Sequence, residues 1–312
     1  MADLPRNIYE QQSVNRRLTV LVMFLFTLLL VLLGYGFDRF LLGTGFPLAT
    51  VAALAVGIGS SSWSLQRGAS AILASSGARP LDGSDGRYRQ LTNIAEEMAI
   101  AAGMAVPSLH VIPDRDPNAF ATGKDPQNSH IVVTEGLLEQ LNRDELQGVI
   151  AHEMAHIRNY DIRLMTVVAA LLGAVVLLSE IGMRTMATGG GRKKSSRGGP
   201  LLLIAWVVGL ILAPLASRML ALAVSRQREY LADASAAELT RNPSALASAL
   251  EKIDAATEPT RSIKRGTAHL CIADPLSRPI NSREGFLADL MATHPPIHKR
   301  IVLLKAMAYQ TI

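Results

Sequence analysis

His152, Glu153 and His156 stand as H-E-x-x-H inside the segment "VIAHEMAHIR". On a helix, two histidines four residues apart share one face, about a turn apart, so both imidazoles can reach a single ion. Glu153 lies about 100° around that helix, near such an ion without being aimed at it. Two neutral nitrogen ligands and a carboxylate free to take a proton from water make up what a zinc hydrolase needs. Two ordinary surface histidines are the bland alternative. Val149, Ile150, Ala151, Met154 and Ala155 make the surroundings mostly apolar, however, and histidines placed there need partners.

A catalytic zinc takes three protein ligands and keeps one position open, so a third ligand must come from elsewhere. In "RQREYLAD", Arg226 to Asp233, Glu229 and Asp233 are four apart and share a helix face. Glu229 could bind the metal while Asp233 accepts the spare ring N–H of a ligand histidine, fixing its tautomer. The same spacing describes many solvated helix faces. What sets it apart is its position directly after an apolar stretch that returns the chain to the side it left.

The elements that would position these groups are largely apolar. Of 312 residues, 49% are hydrophobic and 18% charged, which excludes a disordered or collagenous chain. Cys271 stands alone, so no intrachain disulfide framework exists, in keeping with a reducing compartment. The net charge of +5 resides in one loop: Arg184, Arg192, Lys193, Lys194 and Arg197 occur there without an acid, which argues against a nucleic-acid-binding face spread over the fold. Four stretches carry no formal charge: Leu18 to Phe37, Phe40 to Gln66, Leu164 to Ser179 and Gly198 to Ser217. The first two exceed the roughly 17–25 residues of a bilayer span. The third falls just short and Pro214 interrupts the fourth, so each is either a span or a re-entrant or buried core helix. The first is too long for a cleaved signal peptide and reads as a retained anchor. Arg6, Arg16 and Arg17 before it, and Arg67, Arg79, Arg87 and Arg89 after the second, put both flanks in the cytoplasm.

Between and beyond these stretches the pattern is mainly helical with a few short strands. Arg87 to Met104 has the apolar spacing of an amphipathic helix. Ser108 to Ile112 and His130 to Thr134 read as strands, and Pro117 to Gly123 as an edge strand closed by a turn at Gly123 to Asn128. Asn142 reads as an N-cap, and from Arg143 no proline or strong breaker interrupts the sequence before Gly182, so the H-E-x-x-H helix is expected to run straight into the third apolar stretch. A second long helix is expected from Leu201 to about Thr240, a helix at Ser244 to Ala256, a surface loop at Glu258 to Glu284, and a last helix at Ile297 to Tyr309.

Four motifs in this order carry a resemblance: "NAFATG" at Asn118 to Gly123, "HEMAH" at His152 to His156, "SRQREYLAD" at Ser225 to Asp233, and "THPP" at Thr293 to Pro296 followed by Arg300. Together with the paired apolar segments they resemble the HtpX family of membrane-integrated zinc metalloproteases, relatives of the CAAX prenyl endopeptidases. The resemblance implies a mainly α fold with a small β-sheet, about four apolar helices and a gluzincin-type protease domain. In that layout residues 1–66 form a membrane hairpin and 67–163 the first half of the protease. Residues 164–222 form a second, spanning or re-entrant, hairpin with the basic loop 183–199, and 223–312 the second half. It implies one zinc on His152, His156 and Glu229, Glu153 as general base and Asp233 behind the ligands.

It implies further that an extended substrate adds as a strand at Asn118, Ala119 and Phe120, a mode that grips backbone with little regard to sequence. His294 or Arg300 would stabilise the oxyanion; equally, "HPP" simply caps the last helix. Its partners would be the lipid bilayer and unfolded or damaged membrane proteins, in a quality-control role at the inner membrane with the active site facing the cytoplasm and expression induced by stress. A full third and fourth span would carry the basic loop across the membrane, against the positive-inside tendency. Two rivals remain at the level of sequence. A zinc-binding membrane chaperone or scaffold has no use for Glu153, and a transporter would show more intramembrane charge than Glu180. His110, His130, His269 and His298 lack ligand spacing and read as structural or surface residues.

Overall fold

The first apolar run lies within one 30-residue helix, α1 (Ile8–Phe37), and the second runs from residue 48 onward in the 29-residue α2 (Leu48–Ser76), which ends on Gly77 in the left-handed conformation. Both are long and apolar enough to cross a membrane. They pack against each other so closely that a Cβ on Gly57 would meet the Thr27 side chain at 2.8 Å, which only glycine tolerates. Phe24, Leu32, Val56 and Trp63 stay exposed on the pair and are the surface a bilayer would cover. These elements belong to a computed structural model that describes residues 8–39, 46–81, 86–173, 226–256, 268–273 and 295–310. The basic loop 183–199, the fourth apolar stretch, the third beyond residue 173 and His294 lie outside the described residues.

After α2 come the short strand β1 (Arg79–Pro80) and the amphipathic helix α3 (Arg89–Ala102). Three further strands follow, β2 (Ser108–Ile112), β3 (Ala119–Asp125) and β4 (Asn128–Thr134). The sheet order is β1-β2-β4-β3, with β2 and β4 parallel and the β3–β4 hairpin antiparallel, so β3 is an edge as its sequence suggests. Alternate side chains point to opposite faces. Val111, Ile131 and Val133 pack with Leu91, Ile94 and Met98 of α3 and with Val149 and Ile150. On the other face Ile112, Phe120 and Val132 pack with Ile72 of α2, Met165, Ala169, Leu270 and Cys271.

A short α4 (Glu135–Gln140) leads to α5 (Arg143–Arg158), which carries H-E-x-x-H. Asn142 and Glu145 form a reciprocal capping box, and the Glu145 carboxylate also takes Lys252 at 2.6 Å and Ser248 at 2.7 Å, tying the start of α5 to a later helix. The expectation of one continuous helix from Arg143 to Gly182 is corrected here. The helix stops at Arg158, Tyr160 adopts φ 60°, and a new helix, α6, occupies residues 161–173. Leu164, Val167, Val168 and Leu171 of α6 pack on Val22 and Phe26 of α1, and the Ser64 hydroxyl of α2 donates to the Val167 carbonyl.

The remaining helices are α7 (Arg226–Thr240), α8 (Pro243–Ala255) with Asn242 as its cap, and α9 (Ile297–Gln310). Residues 269–273, expected on a surface loop, are instead buried: Leu270, Cys271 and Ile272 pack into the two cores beside β3. Their apolar sequence is the physical reason.

Candidate metal centre

Helix α5 presents His152 and His156 on one buried face, and α7 crosses it with Glu229 and Asp233 on its own buried face. The two Nε2 atoms lie 3.2 Å apart. Glu229 Oε2 is 3.8 Å from the first and Oε1 3.7 Å from the second. One donor atom of each residue falls within 4.8 Å of the others, the one such His/Cys/Asp/Glu group found among the described residues.

Each histidine has its far nitrogen taken by a carboxylate. His152 Nδ1 sits 3.0 Å from Asp233 Oδ1, and His156 Nδ1 sits 3.0 Å from Asp161 Oδ2. With a proton on each Nδ1, the neutral rings would turn two Nε2 lone pairs toward each other, an arrangement that calls for a cation between them. Two nitrogens at the usual Zn–N distance and a tetrahedral angle stand about 3.3 Å apart, close to the spacing here. The donor set of two imidazoles and one carboxylate also suits zinc. The residues present therefore fit the ion.

The electrostatics point the same way. Burial alone would lower His156, yet the hydrogen bond to Asp161 and the charges of Glu229, Asp161 and Glu153 lift it to about 9. Burial keeps His152 below its ordinary value, with Arg300 and His156 adding to that and Asp233 opposing it. Glu153 is raised to about 7, first by burial and then by Glu229, against His156 and Arg300. Its carboxylate accepts a hydrogen bond from the Ala121 N–H, which fixes it between the helix and β3. The centre thus gathers buried carboxylates that require positive charge, as a shared proton or a metal ion.

Arg300 on α9 lies against the candidate ligands, its Nη2 3.4 Å from His152 Nε2. It is fully buried, and its Nε and Nη2 grip both oxygens of Asp233 at 2.8 and 2.7 Å. Its Nη1 donates to the Ile272 carbonyl at 3.1 Å and lies 3.5 Å from Glu229 Oε2. With its donors committed this way, Arg300 fixes Asp233, and through it His152. Burial would raise Asp233, but the two-point grip of Arg300 and the bond to His152 hold it at about 2. Pro296 leads into α9, and its carbonyl accepts from the Lys299 and Arg300 N–H groups.

Asn118, Ala119 and Phe120 lie beside the centre on the sheet edge, and all three are buried. The outward groups of β3 are already engaged. Ala119 O accepts from Ile272 N at 2.9 Å, Phe120 and Cys271 form an antiparallel bridge, Asn118 Nδ2 donates to Ala273 O, and Gly123 N donates to Thr166 Oγ1. A neighbouring stretch of the chain therefore lies where an extended peptide would pair.

Asp161 is the residue that sequence reasoning missed. It follows His156 by five, a position that a continuous helix turns well away from the imidazole. Only the break at Tyr160 brings it back. The one available signal was an acid just past the motif in an otherwise apolar segment.

The profile of peptidase family M48 matches residues 86–308. A protease HtpX homologue of Thermoanaerobacter pseudethanolicus is 43% identical over 307 residues, covering 97% of this chain and 98% of that one. One from Ligilactobacillus salivarius is 40% identical over 304 residues, covering 96% and 100%. Among solved structures, S. mikatae Ste24p superposes with a TM-score of 0.51 at 19% identity, covering 94% of this chain, which spans 66% of that protein; the likeness is one of fold. With the family profile spanning most of its length and relatives of this identity along nearly the whole of theirs, the chain belongs to the HtpX-type proteases of peptidase family M48.

Proposed function

We propose that this membrane metallopeptidase holds one zinc ion on His152, His156 and Glu229 in the gluzincin manner and hydrolyses peptide bonds of unfolded or damaged membrane proteins. The observation that carries the reading is the pair of Nε2 atoms 3.2 Å apart, each ring anchored at Nδ1 by its own aspartate. A zinc ion there would supply Lewis acidity to the scissile carbonyl and to the attacking water. Glu153, buried and held by the Ala121 N–H, takes the proton of that water and passes it to the leaving amine. Asp233, clamped by Arg300, keeps the His152 ring oriented, and Asp161 does the same for His156. An extended peptide lies along β3 at Asn118 to Phe120 by displacing residues 271–273.

The basic residues flanking the first two apolar runs, such as Arg16, Arg17, Arg67 and Arg79, favour a multi-pass inner-membrane protein whose centre faces the cytoplasm. The rest of residues 164–222 would complete a second hairpin before α7.

Because the ion takes His156 without its proton, metal affinity is expected to rise with pH below about 9. The slope should be roughly tenfold per unit between pH 6 and 8, with proton release on binding. Calorimetric zinc titrations of the metal-free protein in buffers of different ionisation enthalpy measure both; affinity independent of pH would take His156 out of the ligand set.

The function itself is tested by incubating detergent-purified protein with an unfolded membrane protein, with zinc and with chelator. Cleavage is expected with zinc and none with chelator. Binding and protection of the substrate without cleavage would favour a chaperone.

A further inference from the structure

We propose that Asn15, on the first membrane helix, is a positioning residue for the metal centre, so that anchor and peptidase site form one structural unit. The inference rests on reading His156 as a metal ligand. It goes beyond that reading in assigning part of the ligand's support to a helix far away in sequence.

The N-terminal turns of α1 lie on the break between α5 and α6. Gln12 Nε2 donates to Arg158 O at 2.8 Å, and the Arg16 guanidinium sits 4.2 Å from the centre of the Tyr160 ring. Between them, Asn15 Nδ2 donates to Asn159 O at 2.9 Å and to Asp161 Oδ1 at 2.6 Å. The other oxygen of Asp161 is the one on His156 Nδ1. A chain of contacts therefore runs from α1 through one carboxylate to the imidazole.

The chemistry of each link is specific. A carboxylate that accepts from an imidazole can still rotate about its own axis unless its second oxygen is held. Asn15 supplies that hold with a neutral donor at 2.6 Å, on the same oxygen that lies 3.9 Å from Arg228 Nε. Both Asn15 acceptors are oxygens, so the amide can face only one way. Asn15 is also 1% exposed, and its own Oδ1 has no hydrogen-bond partner among the described residues. A buried amide left half satisfied is a poor choice for packing alone, and an apolar residue would serve a helix contact better. Outer partners of metal-bound histidines alter metal affinity when they are removed, and the same should hold one bond further out.

The test uses the full-length protein in detergent, loaded with zinc or cobalt. Asn15→Ala removes the donor, and Asn15→Asp keeps the size but sets a second carboxylate against Asp161. Both are expected to weaken zinc about tenfold or more in chelator competition and to shift the visible spectrum of the cobalt form. Gln12→Ala breaks the neighbouring contact to Arg158 without touching Asp161, and is expected to match wild type in both. Thermal melting of the metal-free proteins separates loss of fold from loss of positioning. The inference is overturned if both Asn15 variants hold zinc and show the cobalt spectrum of wild type, or if Gln12→Ala weakens zinc as much as they do. A wild-type protein that takes up no metal would instead overturn the reading of the centre, and this inference with it.

Discussion

Glu153→Gln is expected to bind zinc as wild type does and to lose peptide hydrolysis by about 10²- to 10⁴-fold, the usual contribution of a positioned general base. The amide has the shape of the carboxylate, and its oxygen can still accept from the Ala121 N–H, so the junction of α5 and β3 survives. What disappears is the proton acceptor. Burial and Glu229 raise this group to about 7 before any metal arrives, which makes it a stronger base than an exposed glutamate. A divalent cation nearby draws that value down, so the acid limb of kcat/KM should fall at or below pH 7 in the wild type. Metal content by elemental analysis together with turnover on one substrate decides the matter. Full activity in the variant would remove Glu153 from the mechanism.

Glu229→Ala should have an equally large effect by another route, the loss of the ion. The remaining pair of imidazoles lacks the only carboxylate that approaches both Nε2 atoms on their open side among the described residues. Removing an outer partner of a ligand histidine costs roughly 10- to 100-fold in metal affinity, and removing a ligand should exceed that. Arg300 keeps its two bonds to Asp233 and its bond to Ile272 O, so α9 remains docked while the centre empties. Dialysis against a weak chelator followed by zinc analysis is the measurement. One zinc per chain, retained with wild-type affinity, would show that a different third ligand operates.

Much of this centre was legible because helical periodicity is a strong constraint. The i, i+4 spacings of His152 with His156 and of Glu229 with Asp233 place each pair on one face before any fold is known, and the structure does bring the two faces together. The N-cap at Asn142 and the strands of the β3–β4 hairpin were legible for the same reason, since their signals are local. The misreadings are non-local. Tyr160 takes a left-handed conformation with neither glycine nor proline to announce it, so the helix end and the return of Asp161 to His156 were invisible. The partnership of residues 271–273 with β3 depends on segments about 150 residues apart, which no periodicity reports. The burial of Arg300 against Asp233 is a matter of how α9 docks, which no local pattern reports.

Both faces of the small sheet carry packed apolar side chains. Ile112, Phe120 and Val132 rest on Ile72 of α2 and on Met165 and Ala169 of α6, so the anchor is also the floor of the hydrolytic half. A soluble fragment made by cutting before Arg79 would bare that floor. It should clump or need detergent despite containing every zinc-binding candidate.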